Sequence, residues 1–559
     1  MSLVLKSKGE QGMKKRKQML SLVLSGALLA GMLTGCGSAK EPDAMPGSKE
    51  AALGNEAADS SESEKEAAGE TIEVSVAIWG AEDGLANPDD PILKQIEEKT
   101  GVKLVAQNIT WDDASQKVQL WATNGQLPDI FVGDFVGQSF YSNWIEQGVI
   151  RALPDDLSAY PSLEEHMQME RAQAAKRDGK FYMIPRTTYG DISYSVLDRN
   201  VVYRWDLAQA AGVTEEPETY EEFCEMIKKI IAADPEGKNV SGMTQALPEL
   251  IGGFVYPYAG IIDKKWVADE NGQFVPSYFA DRDALVDAMQ FGRDMYEEGV
   301  IEKDIALAKL ETSKEKYLQG QSAAMVFAWA GPARLYDNIA RDYDALYGEG
   351  SFLEDNRIAK LYPAKDGNKY YFIDTEAWSE SYISSGVDDV KMDAICRLYD
   401  YLYSEEGSRL VFCGFEGEDY ELDNGQVVMK EGVNLSDKYT FCNVNSNISA
   451  LAMWNPETWD MSFPSTIPEE YRKLNEERHE DAVKNGTLPK YYDSVLFIST
   501  PLKDSFVYNT NDDLLQIMMG TDPVDKMVDD LLANYESKGL SKMLAEVNEA
   551  AAAQGIKAE

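Results

Sequence analysis

TIEVSVAIWG, residues 71–80, begins a series of segments whose order predicts the fold class. Its first half alternates apolar and polar side chains, which is typical of a strand. PILKQIEEKTG, residues 91–101, opens at a proline and stops at a glycine, as helices do. VKLVAQ then predicts a strand, DDASQKVQLWATNG a helix, and PDIFVGD a short buried strand. This β-α-β-α-β order predicts an α/β architecture with a largely parallel sheet.

Amphipathic helices are predicted further along the chain. In PETYEEFCEMIKKIIAA, residues 217–233, apolar side chains recur at helical spacing, and Thr219 supplies N-terminal capping chemistry. The same spacing predicts helices over RDALVDAMQFGRDMYEEG and VDDVKMDAICRLYDYLYSEEG, and packed helices near the C-terminus. No internal repeat is evident, so these segments extend the α/β body.

The N-terminus has the pattern of a secretory signal. MKKRKQ, residues 13–18, is basic, and the next 15 residues, 19–33, carry no charge. A basic head, a short apolar run and small residues at its end are typical of a signal peptide, and the run is short for a membrane span. We therefore predict a signal peptide over residues 1–35, with Met1 or Met13 as its start.

Cys36 lies at the end of this signal. Leu33-Thr34-Gly35-Cys36 resembles the lipobox of bacterial lipoproteins, in which the cysteine sulfur receives a diacylglycerol and becomes the new N-terminus. Residues 37–70 contain no aromatic residue and few branched apolar ones, so residues 36–70 are predicted to be a disordered tether. The resemblance implies an extracytoplasmic protein that is bound to the cell membrane by its lipid alone; an ordinary signal peptide with a chance cysteine is the alternative.

Composition excludes several classes of partner. The 559 residues carry a formal charge of −43, which disfavours nucleic acid because binding it requires basic patches. Zinc is not expected, because the chain has two histidines, far apart. Cys413 and Cys442 could form a disulfide in an exported protein, and buried free thiols are the alternative. No phosphate-binding GxxxxGK[ST] loop is present, and we predict no cofactor.

The order of motifs after residue 71 resembles that of a known family, the extracellular solute-binding proteins of ABC importers for carbohydrates, in its larger lipoprotein branch. The segments that carry the resemblance are LPDIFVGD (127–134), GKFYMIP (179–185), LDRNVVYRWDLAQAAGV (197–213), PETYEEF (217–223), LQGQSAAM (318–325) and YISSGVDDVKMDAICRLYDYLYSEEG (382–407). The resemblance implies a periplasmic-binding-protein-like fold: two α/β lobes, joined by hinge strands, with a central cleft. It also implies a monomer that captures an oligosaccharide, delivers it to the transmembrane subunits of a permease, and is not an enzyme.

The chain is expected to cross between the lobes more than once. We place residues 71–195 with 374–408 in lobe one, and residues 196–373 with 409–559 in lobe two. Each boundary is an expectation, since it rests on the order of motifs alone.

A sugar site needs aromatic side chains for stacking and carboxylates for hydroxyl groups. Residues at predicted strand ends and loops that face the cleft are the candidates: Trp79, Trp111, Asp134, Tyr189, Asp191, Tyr256, Tyr258, Trp329, Glu376 and Trp378. Trp121 is assigned to the core, and Trp454 and Trp459 are left open between a loop over the cleft and packing on lobe two.

The sequence leaves two alternative functions open and has one segment to compare with a calcium loop. A secreted glycoside hydrolase is one alternative, because carboxylate pairs abound, and a peptide-binding protein on the same scaffold is another. Some relatives of the resembled family carry a calcium loop where this chain has ADPEGKNVSG, residues 233–242. That segment lacks alternating oxygen ligands and a closing glutamate, so no calcium site is predicted there.

Overall fold

The computed structural model describes residues 71–558, apart from residues 112, 137, 190–191, 198–199, 246–249, 328–334, 371–376, 444 and 455–467. The signal peptide, Cys36 and the tether predicted for residues 1–70 lie outside the described residues. Within the described residues, no helix combines the length and the apolar character that a membrane crossing requires.

The β-α-β-α-β order predicted for the start of the body is confirmed. It consists of β1 (Ile72–Ala77), α1 (Pro91–Thr100), β2 (Val102–Ala106), α2 (Ala114–Asn124) and β3 (Ile130–Gly133). Asp90 caps α1, because its Oδ1 accepts hydrogen bonds from the backbone N–H groups of Ile92 and Leu93. Gly101 ends α1 at φ 69°, a conformation that favours glycine.

The first sheet is mixed rather than largely parallel as predicted, because two of its described strand pairs are parallel and three are antiparallel. It has the order β2-β1-β3-β12-β4, with β5 also paired to β12. The added strands are β4 (Ile150–Arg151), β5 (Ile184–Thr187) and β12 (Ala377–Ser384). β1 is parallel to β2 and β3, whereas β12 is antiparallel to β3, β4 and β5. β12 thus runs antiparallel to the other strands of this sheet. It follows the strands of the second sheet in sequence, so the chain returns to the first sheet at β12.

The second sheet has the order β11-β6-β10-β7. Its strands are β6 (Asn200–Arg204), β7 (Ser241–Gln245), β10 (Ser322–Phe327) and β11 (Asn356–Ile358). β10 is parallel to β7, and β6 is antiparallel to both β10 and β11. Two hairpins lie outside these sheets, β8 (Trp266–Ala268) with β9 (Phe274–Pro276) and β13 (Tyr420–Asp423) with β14 (Gln426–Met429).

Helices cover both sheets. The longer ones are α3 (Ser139–Glu146), α4 (Tyr220–Ala233), α5 (Arg282–Glu297), α6 (Leu310–Leu318), α7 (Asp389–Tyr403), α8 (Glu405–Cys413), α9 (Glu469–Asn485), α10 (Thr510–Met518), α11 (Val524–Ser537) and α12 (Leu540–Ala553). Thr219 caps α4 as predicted, since its hydroxyl accepts from the N–H of Glu222 over 3.1 Å.

Each sheet has its own hydrophobic core. The core around the first sheet includes Val76, Phe131 and Tyr382, and the core around the second includes Val202, Phe223 and Met325. Buried side chains between Leu410 and Met453 pack in the first core. The predicted bounds of the two lobes stay a prediction.

One short segment contributes to both cores. Phe497 belongs to the core of the first sheet, and its neighbours Val495 and Ile498 belong to that of the second. The guanidinium carbon of Arg171 lies 5.2 Å from the centre of the Phe497 ring, and Arg177 donates a hydrogen bond to the Phe497 carbonyl. Residues 495–498 therefore connect the core of the first sheet with the core of the second sheet.

Candidate ligand-binding site

Three of the predicted tryptophans form one stack beside the first sheet. The ring centroids of Trp79 and Trp111 lie 4.4 Å apart, with planes 7° from parallel. Trp378 lies 5.3 Å from Trp79 and 5.9 Å from Trp111, at 14° and 17°. Trp454 contacts Trp378 edge-on, at 5.5 Å and 74°. We call Trp79, Trp111, Trp378 and Trp454 the indole cluster.

Exposure differs sharply within the indole cluster. Trp79 is 6% exposed, whereas Trp111 is 58% exposed. A large aromatic side chain rarely leaves so much apolar surface in water. An exposed ring that stacks on a buried one therefore indicates a surface for binding. The cluster thus offers an apolar platform to solvent.

Trp79 is placed by the end of β1. It forms a parallel bridge with Ile109, and its carbonyl accepts a hydrogen bond from the N–H of Asn447 over 2.9 Å. Gly80, which follows, has φ 68°, and a Cβ there would lie 2.0 Å from the carbonyl oxygen of Asn445. The close approach of residues 445–447 therefore requires glycine after Trp79.

The other indoles come from distant segments. Trp111 follows the bridge at Ile109, in the connection between β2 and α2. Trp454 follows a bridge between Thr187 and Met453, and its N–H donates to the carbonyl of Thr187 over 2.7 Å. The cluster exists only when segments about 300 residues apart in sequence, those of Trp79 and Trp378, have packed together.

An irregularity in β12 positions Trp378. The register of β12 against β5 shifts between Ala377 and Glu380, and Ser379 in between has φ 59°. An L-residue rarely adopts such a φ, and bulges of this kind redirect side chains near functional sites. The N–H of Trp378 donates to the hydroxyl of Thr188 over 2.7 Å, which fixes the indole at the start of β12.

Arg186 lies against the cluster and is fully buried. Its guanidinium carbon is 5.7 Å from the ring centres of Trp79 and Trp378 and 5.0 Å from that of Trp454. Nε donates to the carbonyl of Ala450 over 2.9 Å, and Nη1 to the Ser379 hydroxyl over 2.7 Å. Burial lowers the pKa of Arg186 to about 10. The aromatic faces stabilise this cation in place of water.

A second polar group lies in the same sheet beside Ser379. The buried carboxylate of Glu380 accepts hydrogen bonds from Nε of Arg171, at 3.0 Å, and from the hydroxyl of Tyr382, at 2.8 Å. The Tyr382 hydroxyl in turn accepts from the N–H of Phe135 over 3.2 Å. Burial and the Glu380 carboxylate raise the pKa of Tyr382, and Glu380 outweighs burial to raise the pKa of Arg171; the charge of Asp134 acts in the same direction on both, so its carboxylate lies near this group.

The structure does not bring all predicted residues together. Asp134 is exposed directly after β3, where the sequence places it, and its role in a cleft stays a prediction. Tyr189 is buried. Tyr256 is buried in the core of the second sheet with its hydroxyl donating to the carbonyl of Thr510, and Tyr258 stacks on Phe291 at 4.1 Å. Neither of these two joins the indole cluster. Four residues named in the sequence analysis lie outside the described residues: the predicted site residues Asp191, Trp329 and Glu376, and Trp459, whose position was not predicted.

Sequence reasoning missed Arg186 and did not decide Trp454. A lone arginine in an otherwise apolar strand, IPRT, was the available signal for Arg186. Trp121 packs partly buried against the core of the first sheet, as predicted. Cys442 carries a free thiol, so the bridge to Cys413 that was left open is not formed, and burial raises the pKa of that thiol to about 12.

In the loop of residues 233–242, where no calcium site is predicted, carboxylate oxygens accept hydrogen bonds from the backbone of the loop itself. The Asp234 carboxylate accepts from the backbone N–H groups of Lys238, Asn239 and Val240 at 3.1–3.3 Å. The Lys238 ammonium pairs with Glu236 at 2.6 Å. Among the described residues, no group of three or more His, Cys, Asp or Glu side chains is placed to hold a metal ion. The absence of calcium at this loop stays a prediction.

The two sheets and the helices that cover them form a known fold. The alginate-binding protein AlgQ2 shares it, with a TM-score of 0.65 and 17% sequence identity, and the match covers 86% of this chain and 98% of AlgQ2. The Streptococcus pneumoniae substrate-binding protein FusA, in complex with kestose, shares it with a TM-score of 0.64 and 19% sequence identity, and that match covers 87% of this chain and 99% of FusA. At this identity the likeness demonstrates the periplasmic-binding-protein fold, which confirms the predicted fold class.

The chain belongs to the bacterial extracellular solute-binding proteins, whose family model matches residues 83–408. It is similar to lipoprotein LipO of Bacillus subtilis, at 22% identity over 447 residues, covering 76% of this chain and 78% of LipO. It is also similar to the fructooligosaccharide-transporter protein FusA of Streptococcus pneumoniae, at 27% over 240 residues, covering 39% of this chain and 43% of FusA. The family is non-catalytic, which confirms that the chain is not an enzyme and sets the glycoside hydrolase aside.

Proposed function

We propose that this chain is the lipid-anchored substrate-binding component of an ABC importer, and that it captures an oligosaccharide between its two lobes for delivery to a permease. The observation that carries the proposal is the stack of Trp79, Trp111 and Trp378, with Trp111 58% exposed. Sugar rings present flat C–H faces, and near-parallel indoles at a solvent-facing surface match those faces. The family and the fold support the binding role.

The chemistry beside the indoles also suits a sugar. Asp134, exposed at the end of β3, offers carboxylate oxygens to hydroxyl groups at the edge where ligands of α/β sheets lie. Two similar proteins support the same class of ligand: FusA is the substrate-binding protein of a fructooligosaccharide transporter, and AlgQ2 is an alginate-binding protein. Ligand would favour a closed arrangement of the lobes to the extent that it binds that arrangement more tightly.

The lipid anchor is the second part of the proposal. Cys36 would carry the acyl chains, and residues 37–70 would hold the body above the membrane within reach of the permease. The similarity to a protein named lipoprotein LipO supports this. Metabolic labelling with a radioactive fatty acid should label the wild-type chain and leave Cys36→Ala unlabelled. Equal labelling of both would contradict the anchor without touching the ligand site.

A thermal-shift screen tests the ligand class. A ligand that binds only the native state raises the melting temperature by mass action. We expect fructooligosaccharides, malto-oligosaccharides or uronate oligosaccharides to include at least one that raises it, and a matched panel of short peptides to leave it unchanged. A rise with peptides and none with any sugar would replace the carbohydrate with a peptide ligand on the same scaffold.

A further inference from the structure

Trp111 is the member of the indole cluster that depends most on its own loop for its position. Its side chain is 58% exposed, and its ring stacks on those of Trp79 and Trp378. An aromatic ring on a surface loop that had to be ordered by the ligand would reduce the affinity, because the ligand would bear the entropy loss. The three residues directly before Trp111 in sequence show how its backbone is held.

Ile109, two residues before Trp111, is fixed by strand pairing. It is fully buried and forms a parallel bridge with Trp79, and its carbonyl accepts a hydrogen bond from the N–H of Gly80 over 3.2 Å. The bridge keeps the register of β1 on β2, in which Val76 pairs with Ala106. The backbone before Trp111 therefore lies beside the residue on which the Trp111 ring stacks.

The residues on either side of Ile109 are held by two side chains at the start of α2. Nζ of Lys117 donates to the carbonyl of Asn108 over 3.1 Å, and Oδ1 of Asp113 accepts from the N–H of Thr110 over 2.8 Å. Asp113 and Lys117 also form an ion pair of 2.8 Å, one helical turn apart. One ion pair thus binds the backbone on both sides of Ile109. We call it the Asp113–Lys117 pair.

The Asp113–Lys117 pair differs from an ordinary surface ion pair. Lys94 and Asp89, on and just before α1, are 57% and 79% exposed and pair at 2.6 Å; such a pair adds little to stability. Asp113 and Lys117 are each 36% exposed, and each also bonds a backbone group of the segment that leads to Trp111. Hydrogen bonds from Lys117 and from the backbone of Thr110 hold the pKa of the Asp113 carboxyl below its usual value. Bonds of ionised groups are stronger than those of neutral ones.

We propose that Asp113 and Lys117 are positioning residues for ligand binding, which hold Trp111 on Trp79 so that the platform of the indole cluster is formed before a ligand arrives. The effect on affinity rests on the proposed function, whereas the position of Trp111 is a property of the free protein. A ligand that meets a preformed platform does not bear the entropy loss of ordering the loop.

Circular dichroism of the free, full-length protein tests the positioning, because stacked indoles give an exciton-coupled signal. Trp111→Ala defines the part of this signal that comes from Trp111. Lys117→Met removes the ammonium group and keeps the apolar stem, and it should lose at least half of that part. Lys117→Arg should retain most of it, and Lys94→Met, the matched control at an exposed ion pair, should retain all of it. An unchanged signal in Lys117→Met would overturn the proposal, since the bridge at Ile109 would then suffice.

Isothermal titration with an oligosaccharide that raises the melting temperature tests the effect on binding. Lys117→Met should weaken the affinity by about 2–10-fold, and Lys117→Arg and Lys94→Met should bind nearly as the wild type does. A reduced indole signal with wild-type affinity would also overturn the proposal, because the position of Trp111 would not matter to the ligand.

Asp113→Asn is the second variant, for use also if Lys117→Met does not fold. It keeps an acceptor oxygen for the Thr110 N–H and removes the charge that holds Lys117, so its loss of signal and of affinity should be smaller than that of Lys117→Met. Wild-type values of both would count against the ion pair. If no oligosaccharide binds the wild type, the proposed function is wrong and the role in binding is lost with it, while the indole signal still decides whether the pair positions Trp111.

Discussion

Arg186 donates a hydrogen bond from Nη1 to the hydroxyl of Ser379 over 2.7 Å, and Ser379 is held at φ 59°. This contact links β5 to the irregular start of β12, directly behind Trp378. A serine at positive φ costs about 1–2 kcal/mol. The hydrogen bond to a buried cation offsets that cost and keeps the indole in the stack.

Ser379→Ala should therefore lower the free energy of unfolding by about 1–3 kcal/mol, because the Nη1 group loses its partner while the strained φ remains. Ser379→Gly removes the same hydroxyl but relieves the strain, so its loss should be smaller by about 1 kcal/mol. Chemical denaturation of the two variants measures both values. Equal losses would mean that the backbone at residue 379 stores no strain.

Glu380→Gln should destabilise the protein by about 3–5 kcal/mol, since it leaves the Arg171 guanidinium uncompensated in the core. The two side chains of this ion pair are 7% and 0% exposed. Asp389→Asn is the matched control: its pair with Arg151 is 94% and 30% exposed, and its loss should cost less than about 1 kcal/mol. Similar values in urea denaturation would contradict this assignment of roles.

Trp111→Ala should weaken ligand binding by about 1–3 kcal/mol with little change in the melting temperature of the free protein, because the ring is largely in solvent. Leu120→Ala, with the same 58% exposure as Trp111, is the control and should bind as the wild type does. Isothermal titration with whichever oligosaccharide raises the melting temperature gives the affinities. An unchanged affinity for Trp111→Ala would remove this residue from the site.

His166 should make the protein less stable in acid. The ring is buried, its Nε2 lies 2.7 Å from the carbonyl of Pro185, and it stacks on Tyr403 at 3.7 Å. Burial lowers its pKa from 6.5 to about 4, so the unfolded chain binds a proton that the folded chain does not. Stability should fall as the pH drops from about 6.5 to 4, by roughly 3 kcal/mol from this group.

His166→Gln checks the assignment, because an amide can donate to the Pro185 carbonyl but does not titrate. Its free energy of unfolding should depend less on pH between 4 and 6.5 than that of the wild type, whereas His479→Gln should keep more of the wild-type slope. Identical slopes in all three proteins would show that His166 does not contribute.

Calcium should not stabilise the loop of residues 233–242. The Asp234 carboxylate already accepts backbone hydrogen bonds, and the Lys238 ammonium is paired with Glu236 in the same loop. We expect the same melting temperature in calcium chloride and in EDTA. A clear rise with calcium would mean that Lys238 is displaced and that the ion binds here.

The sequence was most informative where neighbouring residues decide the outcome. Proline and glycine at the ends of α1 and alternation in β1 depend on local chemistry, and the predicted elements were confirmed. Trp79 and Trp378 could be nominated because they lie at the ends of predicted strands. Their mutual stacking could not be predicted, since it depends on pairs of segments about 300 residues apart.

Burial was harder to predict than secondary structure. Tyr256 lies three residues after a pair of glycines and directly before a proline, a context typical of a loop, yet a short helical turn directs its ring into the core of the second sheet. Arg186 is a charged residue whose burial was not predicted. It lies in the short strand IPRT and is buried because Ala450 and Ser379 supply its hydrogen-bond acceptors. Both outcomes are set by distant partners.

Residues 495–498 have a consequence for how the molecule could be divided. Phe497 completes the packing of one half, and Val495 and Ile498 complete that of the other. A fragment that ended before residue 495 would leave a gap in each interior, and a fragment that began there would carry apolar side chains with nothing to cover them. Each half therefore draws part of its interior from the same four residues of chain.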